Sequence, residues 1–270
     1  MVEIRNDGQT ASLTMDEWEA RVRAGRVAPD TEIRFGPVTG AAFRRAGDLE
    51  MFRSLYDERA LASQRQLAEA PPPWMTALLV GGQIRVWWLA QLPAWSEPLA
   101  HAMVRWTSPQ LEEGEAWRLV TAGVLHVDLL HAAMNLLWLG YVGWTLERAL
   151  GAANLLLLFS ASVVGGGLVS TLTTPASPSL GASGGVFGLI AAAVVLGVIR
   201  PHAMPERARQ SLGLALLPYL LIMLLLGFTQ SEVDNWAHVG GLVTGGILGG
   251  LLDLRTLERR PGWNRRVAAG

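Results

Sequence analysis

From Trp74 onward the chain repeats apolar windows of a length that crosses a bilayer core, about 20 residues each. Six such windows stand near residues 74–94, 127–148, 152–172, 183–200, 211–229 and 235–254. Their recurrence limits the fold to packed membrane helices, because only helices or closed barrels satisfy their backbone in lipid. Half of the 270 residues are hydrophobic and 17% are charged, against roughly 25% charged in soluble domains. The first window is the weakest, since it contains Gln83 and Arg85. An arginine in mid-span costs about 3 kcal/mol, so Arg85 snorkels, pairs or marks a boundary.

Residues 1–58 differ in character and read as a small soluble α+β module. Ser12 or Thr14 caps a helix carrying Met15, Trp18 and Val22 on one face. Gly25 stops it, Pro29-Asp30 turns, and Glu32 to Phe35 alternates as a short strand. Residues 59–73, ending in Pro71-Pro72-Pro73, form a linker, and 257–270 form a basic tail. The near-neutral net charge of −1 gives no basic surface for nucleic acid. The absence of cysteine excludes disulfides and thiolate chemistry. MVEIRNDGQT has no apolar h-region, so no cleaved signal peptide is expected.

All 22 basic residues are arginine, and their placement orients the spans. Arg53, Arg59 and Arg65 precede span one. Arg148 follows span two, and Arg200, Arg207 and Arg209 follow span four. Arg255, Arg259, Arg260, Arg265 and Arg266 follow span six. The opposite loops hold only Arg105 and Arg118. The positive-inside rule then places both termini in the cytoplasm. The long first outer loop, 95–126, mixes Trp95, Trp106 and Trp117 with Glu112, Glu113 and Glu115. It reads equally as an interfacial segment or a solvated connector.

Polar groups inside spans are costly and default to functional candidates. His131 and Asn135 share one helix face in "HAAMN". Ser183 opens span four within "GASGGVFGL", and His238 lies one turn inside span six within "AHVGGLVTG". Each has an ordinary structural alternative, such as a hydrogen bond to its own helix or between helices. Spans two, four and six run in the same direction, however, which places the four at one depth near the outer face. A serine needs a base to become nucleophilic near neutral pH, and histidine suits that role. Asn135, His131 and the Ser183 backbone N–H could serve an oxyanion. Glycines around Ser183, together with Gly241 and Gly245 at small-xxx-small spacing, would let spans four and six approach closely. Phe187, one turn after Ser183, could pack on His238. Asp234 is a candidate third member of a triad, but a helix N-cap is its expected role.

The combination resembles the rhomboid family of intramembrane serine proteases over residues 74–256. The matching residues are Trp117-Arg118, His126, His131 and Asn135 of "HAAMN", Glu147-Arg148, Gly151, Gly181 and Gly184 flanking Ser183, and His238 with Gly241. The resemblance implies a six-transmembrane-helix bundle of the all-α polytopic class, with a Ser183–His238 dyad. It implies an oxyanion site of His131, Asn135 and the Ser183 amide, and neither metal nor cofactor. Its implied partners are transmembrane protein substrates within a lipid bilayer, here a bacterial-type inner membrane. The alternative is a non-catalytic binder of transmembrane helices built on the same groove. A transporter would need inverted repeats, a metalloprotease H-E-x-x-H, and a soluble α/β-hydrolase strands around its elbow; none is seen. The first 58 residues resemble small GYF-like modules through the helix, "AGRVAPDTEI" and "RRAGDLEMF", with Phe43 where such modules carry tryptophan. That resemblance leaves a protein partner of the module open.

Overall fold

The computed structural model describes residues 1–6, 9–23, 27–58, 71–104, 113–174, 177–199, 213–230 and 233–252. Gly25, most of the expected linker, Arg105, the arginines of 200–212 and the basic tail lie outside the described residues. The chain divides into two compact units, Met1–Glu69 and Ala70–Gly270.

The first unit carries a four-stranded antiparallel sheet ordered β2-β1-β3-β4. Its strands are β1 Val2–Asn6, β2 Gln9–Leu13, β3 Glu32–Arg34 and β4 Arg44–Arg45. Period-two alternation sends Val2, Ile4, Leu13 and Ile33 to one face, where they are buried with Trp18, Val22 and Phe52. Helix α1, Met15–Arg23, begins with a reciprocal capping box. Glu17 N donates to Thr14 Oγ1 at 3.2 Å, and Thr14 N donates to Glu17 Oε2 at 2.9 Å. Short helix α2, Gly36–Thr39, follows β3, and α3 covers residues 50–58. Phe43 lies beneath two guanidinium groups, Arg5 at 3.7 Å and Arg34 at 4.8 Å from its centroid. Arg34 also pairs with Glu3, its cross-strand neighbour. The β1–β2 hairpin is an addition to the elements expected from sequence.

The second unit is helical among its described residues. Helix α4 spans Trp74–Ala90 and α5 spans Pro93–Met103. The first expected span thus stops four residues early, because Pro93 has no N–H and starts a new helix. Arg85 is exposed on α4. A short helix α6, Arg118–Thr121, and a 3-10 turn, Ala122–Val124, lead into α7, Leu129–Leu150, across a bend of 100°. Helix α8 is Ala152–Thr173, α9 is Ser183–Ile199, α10 is Leu217–Gly227 and α11 is Asn235–Leu251. Ala152–Thr173 alone among the described helices is long and apolar enough to cross a membrane unbroken. Helices α9 and α11 have 17 residues each, about 26 Å of helix against a hydrocarbon core of about 30 Å.

Helix α9 is the centre of this unit. It is apolar all round, as a helix with no solvent face must be, and every residue from Gly184 to Ala193 is buried. The core includes its own Leu189 and Leu196 together with Leu139, Leu146, Leu155 and Leu158 of its neighbours. The surrounding helices expose large apolar side chains outward, among them Leu137, Trp144, Leu172, Leu225 and Ile247. So much exposed apolar surface on several elements marks contact with lipid.

Two buried charges hold the outer helices. Glu147 of α7, 5% exposed, accepts from Met75 N at 2.9 Å, Thr76 N at 2.7 Å and Thr76 Oγ1 at 2.7 Å. These are unpaired amides of the first turn of α4, where a carboxylate is favoured. Arg118, 3% exposed, donates to Glu115 Oε2 at 2.7 Å and to the carbonyls of His101 and Val104 at 2.6 and 2.9 Å. It ties the end of α5 to the segment entering α7. Its hydrogen bond to Glu115 holds that carboxyl below the usual range.

Candidate active site

Ser183 is the first residue of α9 and His238 the fourth of α11. Ser183 Oγ and His238 Nε2 lie 2.8 Å apart. That distance exists because α9 and α11 meet along two rows of small residues. A Cβ on Gly241 would stand 2.0 Å from the Gly184 carbonyl oxygen, and one on Gly245 2.1 Å from that of Gly188. One on Gly249 would stand 2.7 Å from Ala192 Cα. The rows Gly184-Gly188-Ala192 and Gly241-Gly245-Gly249 therefore touch backbone to backbone, one turn apart at each step.

His238 is 8% exposed, and its imidazole is held on three sides. Phe187 stacks on its face, centroids 4.3 Å apart and planes 9° apart. Nδ1 lies 3.0 Å from Asn235 Oδ1. Asp234 caps α11, accepting from Ala237 N at 3.0 Å, and takes the Ser170 hydroxyl at 2.5 Å. The partner at Nδ1 is thus Asn235, a residue that the sequence reading did not single out. The available signal was its i, i+3 spacing to His238.

His131 is placed in the first turn of α7 by Asp128, whose side chain caps the helix through His131 N at 2.8 Å. Its ring lies against Gly181, where a Cβ would come within 2.7 Å of His131 Cε1 and 2.8 Å of Nε2. Gly181 also has φ +128°, a conformation that side chains rarely adopt. Both facts restrict this position to glycine. Gly181 N donates to Ala122 O at 2.8 Å, which fastens the segment entering Ser183 to the turn before α7. Asn135 is buried and donates one Nδ2 hydrogen to His131 O at 3.0 Å. Its amide has a second hydrogen to give. His126 is buried and meets His131 edge to face at 5.1 Å. Trp117 is exposed, and its neighbour Arg118 serves the α5 anchor. Arg118, Gly181 and Gly184 share the lining of one cavity of about 20 Å³, the size of a single water.

A hydroxyl 2.8 Å from an imidazole nitrogen, with backbone and side-chain donors nearby, can be deprotonated as it attacks a carbonyl. The model of the Rhomboid domain matches residues 113–255, more than half of the chain. The chain belongs to the Rhomboid family. It is similar to the rhomboid protease GluP of Bacillus subtilis, 33% identical over 64% of this chain and 34% of GluP. YdcA of the same bacterium is 31% identical over 66% of this chain and 87% of its own length. The RHOMBOID-like protein 5 of Arabidopsis thaliana is 37% identical over 54% of this chain and 47% of that protein. The chain spans about half or less of the length of the first curated relatives it matches. Membership places the protein in a membrane.

Proposed function

We propose that the protein is an intramembrane serine endopeptidase that cleaves transmembrane proteins, with Ser183 as nucleophile and His238 as general base. The observation that carries this reading is the 2.8 Å approach of Ser183 Oγ to His238 Nε2 within a membrane-family fold. Ser183 Oγ attacks the scissile carbonyl carbon while its proton passes to Nε2. The tetrahedral oxyanion takes hydrogen bonds from the Ser183 N–H, His131 and the second Nδ2 hydrogen of Asn135. Collapse breaks the C–N bond, and His238 returns the proton to the leaving amine. The acyl-enzyme is a Ser183 ester. Water then attacks it, gives a proton to Nε2, releases the carboxylate product and restores the hydroxyl. No group outside the chain and water is needed to balance these steps.

In this reading six spans cross a bacterial-type inner membrane, with both termini cytoplasmic and the site opening towards the outer face. The arginine distribution supports that orientation. The test is cleavage of a transmembrane substrate, carrying a helix-destabilising site near its outer end, by the purified protein in detergent. Wild type cleaves; Ser183→Ala and His238→Ala do not. Cleavage by Ser183→Ala at the wild-type rate refutes the assignment. Wild type that binds the helix without cutting it establishes the non-catalytic binder instead.

A further inference from the structure

We infer that Asn235 is a positioning residue that sets the tautomer of His238 and aims its Nε2 at Ser183. The inference rests on the dyad reading given above. Asn235 opens α11, is 5% exposed and has its two polar ends on different partners. Nδ2 lies 2.9 Å from the carbonyl oxygen of Leu224, and Oδ1 lies 3.0 Å from His238 Nδ1. A backbone carbonyl can only accept, so the NH2 of the amide faces Leu224 and its oxygen faces the ring. An amide oxygen also only accepts, so Nδ1 carries the hydrogen. A neutral imidazole has one ring hydrogen, and it is now spent. Nε2 is left with a lone pair directed at Ser183 Oγ, 2.8 Å away. Ser183 donates to His238, His238 to Asn235, and Asn235 to Leu224, with every donor and acceptor in that chain determined. The other tautomer would set the Nδ1 lone pair against the Asn235 oxygen.

The two restraints on the ring divide the task. Phe187 stacks on its face, which holds the plane but does not distinguish one nitrogen from the other. Asn235 distinguishes them. When Nε2 takes the serine proton, the Nδ1–H donor becomes part of a cation, and its bond to Oδ1 strengthens. The contact thus favours the state formed during reaction over the resting one. The fold makes room for it: a Cβ on Gly227 would stand 2.4 Å from Asn235 Oδ1. Leu224 belongs to the last turn of α10, where its carbonyl takes only a long, shared bond from Phe228 N at 3.4 Å and keeps a lone pair for a second donor.

The test uses the full chain in detergent with isotope-labelled histidine, reading the His238 tautomer from ring carbon and nitrogen shifts beside kcat and KM. Wild type shows the Nδ1–H form. Asn235→Leu keeps the volume but loses the acceptor; its ring populates both tautomers, and kcat falls about 10- to 100-fold with KM nearly unchanged. Gly227→Ala, which pushes the amide away from outside, gives the Asn235→Leu pattern and serves where that variant does not fold. A wild-type ring in the Nε2–H form overturns the inference. So does a wild-type kcat in folded Asn235→Leu, or in folded Gly227→Ala. Ser183→Ala separates the two levels. If that variant cleaves normally, the dyad reading fails; if it is dead while Asn235→Leu is normal, only the role of Asn235 fails.

Discussion

Gly241→Ala adds one methyl group at the tightest point between α9 and α11. The new Cβ would stand 2.0 Å from Gly184 O, 2.6 Å from Gly184 C and 2.9 Å from Gly184 Cα. All three atoms are backbone, so no side chain can swing aside. Carbon and oxygen rest about 3.3 Å apart in close packing, which requires the helices to separate locally by roughly 1.3 Å. Gly184 adjoins Ser183, and Gly241 follows His238 by less than one turn, so the separation falls on the bond between them. A contact of 2.8 Å opened that far reaches about 4 Å, beyond the range of a hydrogen bond. Losing an aligned base costs about 100-fold or more in rate, equivalent to about 2.7 kcal/mol. Overpacking also destabilises the fold by about 1–3 kcal/mol. The assay is kcat on a transmembrane substrate beside thermal unfolding in the same detergent. Gly246→Ala is the control, because its Cβ would meet only Val195 Cγ2 at 3.8 Å and Ala191 Cβ at 3.9 Å, ordinary contacts. If Gly241→Ala keeps the wild-type rate and melting temperature, or Gly246→Ala falls as far, the backbone-contact argument is refuted.

Asn135→Ala lowers kcat by about 10- to 1,000-fold, less than Ser183→Ala, because the proposed oxyanion site keeps the Ser183 amide and His131; equal losses in the two variants would contradict the division of donors. Asp234→Ala removes the cap of α11 and costs about 1 kcal/mol in an unfolding titration. Its kcat falls by less than about tenfold, and complete inactivation of a folded variant would make Asp234 the third member of a triad. Glu147→Ala strips three hydrogen bonds from the first turn of α4 and lowers stability by about 1–3 kcal/mol, with more proteolytic nicking near Trp74 as the readout. Thr14→Ala breaks the capping box of α1 and costs the N-terminal unit about 1 kcal/mol. The substrate-cleavage rate per folded molecule is the check that the effect stays in that unit.

What the sequence made legible follows from the range of the interaction concerned. Ser183, His238, His131 and Phe187 could be placed because helical periodicity and span direction assign depth and face without knowing a neighbour's coordinates. The Gly241 and Gly245 spacing was readable for the same reason, although the third step, Gly249 on Ala192, appears only when both helices are in place. The β1–β2 hairpin carries a local signal in Asp7-Gly8 between two segments, but strands of five residues each give alternation little length to register. The termination of α4 before Pro93 was also local. The partners of Glu147 and Arg118 were not: one reaches amides 71 and 72 residues away, and the other reaches carbonyls, which every residue owns and which leave no mark in the sequence. Asn235 lay between these cases. Its spacing to His238 is visible, but in sequence the adjacent charged Asp234 competes with it as a partner for the imidazole. The structure gives the carboxylate to the helix end, where the peptide dipoles favour an anion, and gives the neutral amide to the ring. A buried carboxylate at Nδ1 would need desolvation and a counter-charge. An amide needs only one acceptor and one donor, and Leu224 O and His238 Nδ1 supply both within one turn of the site.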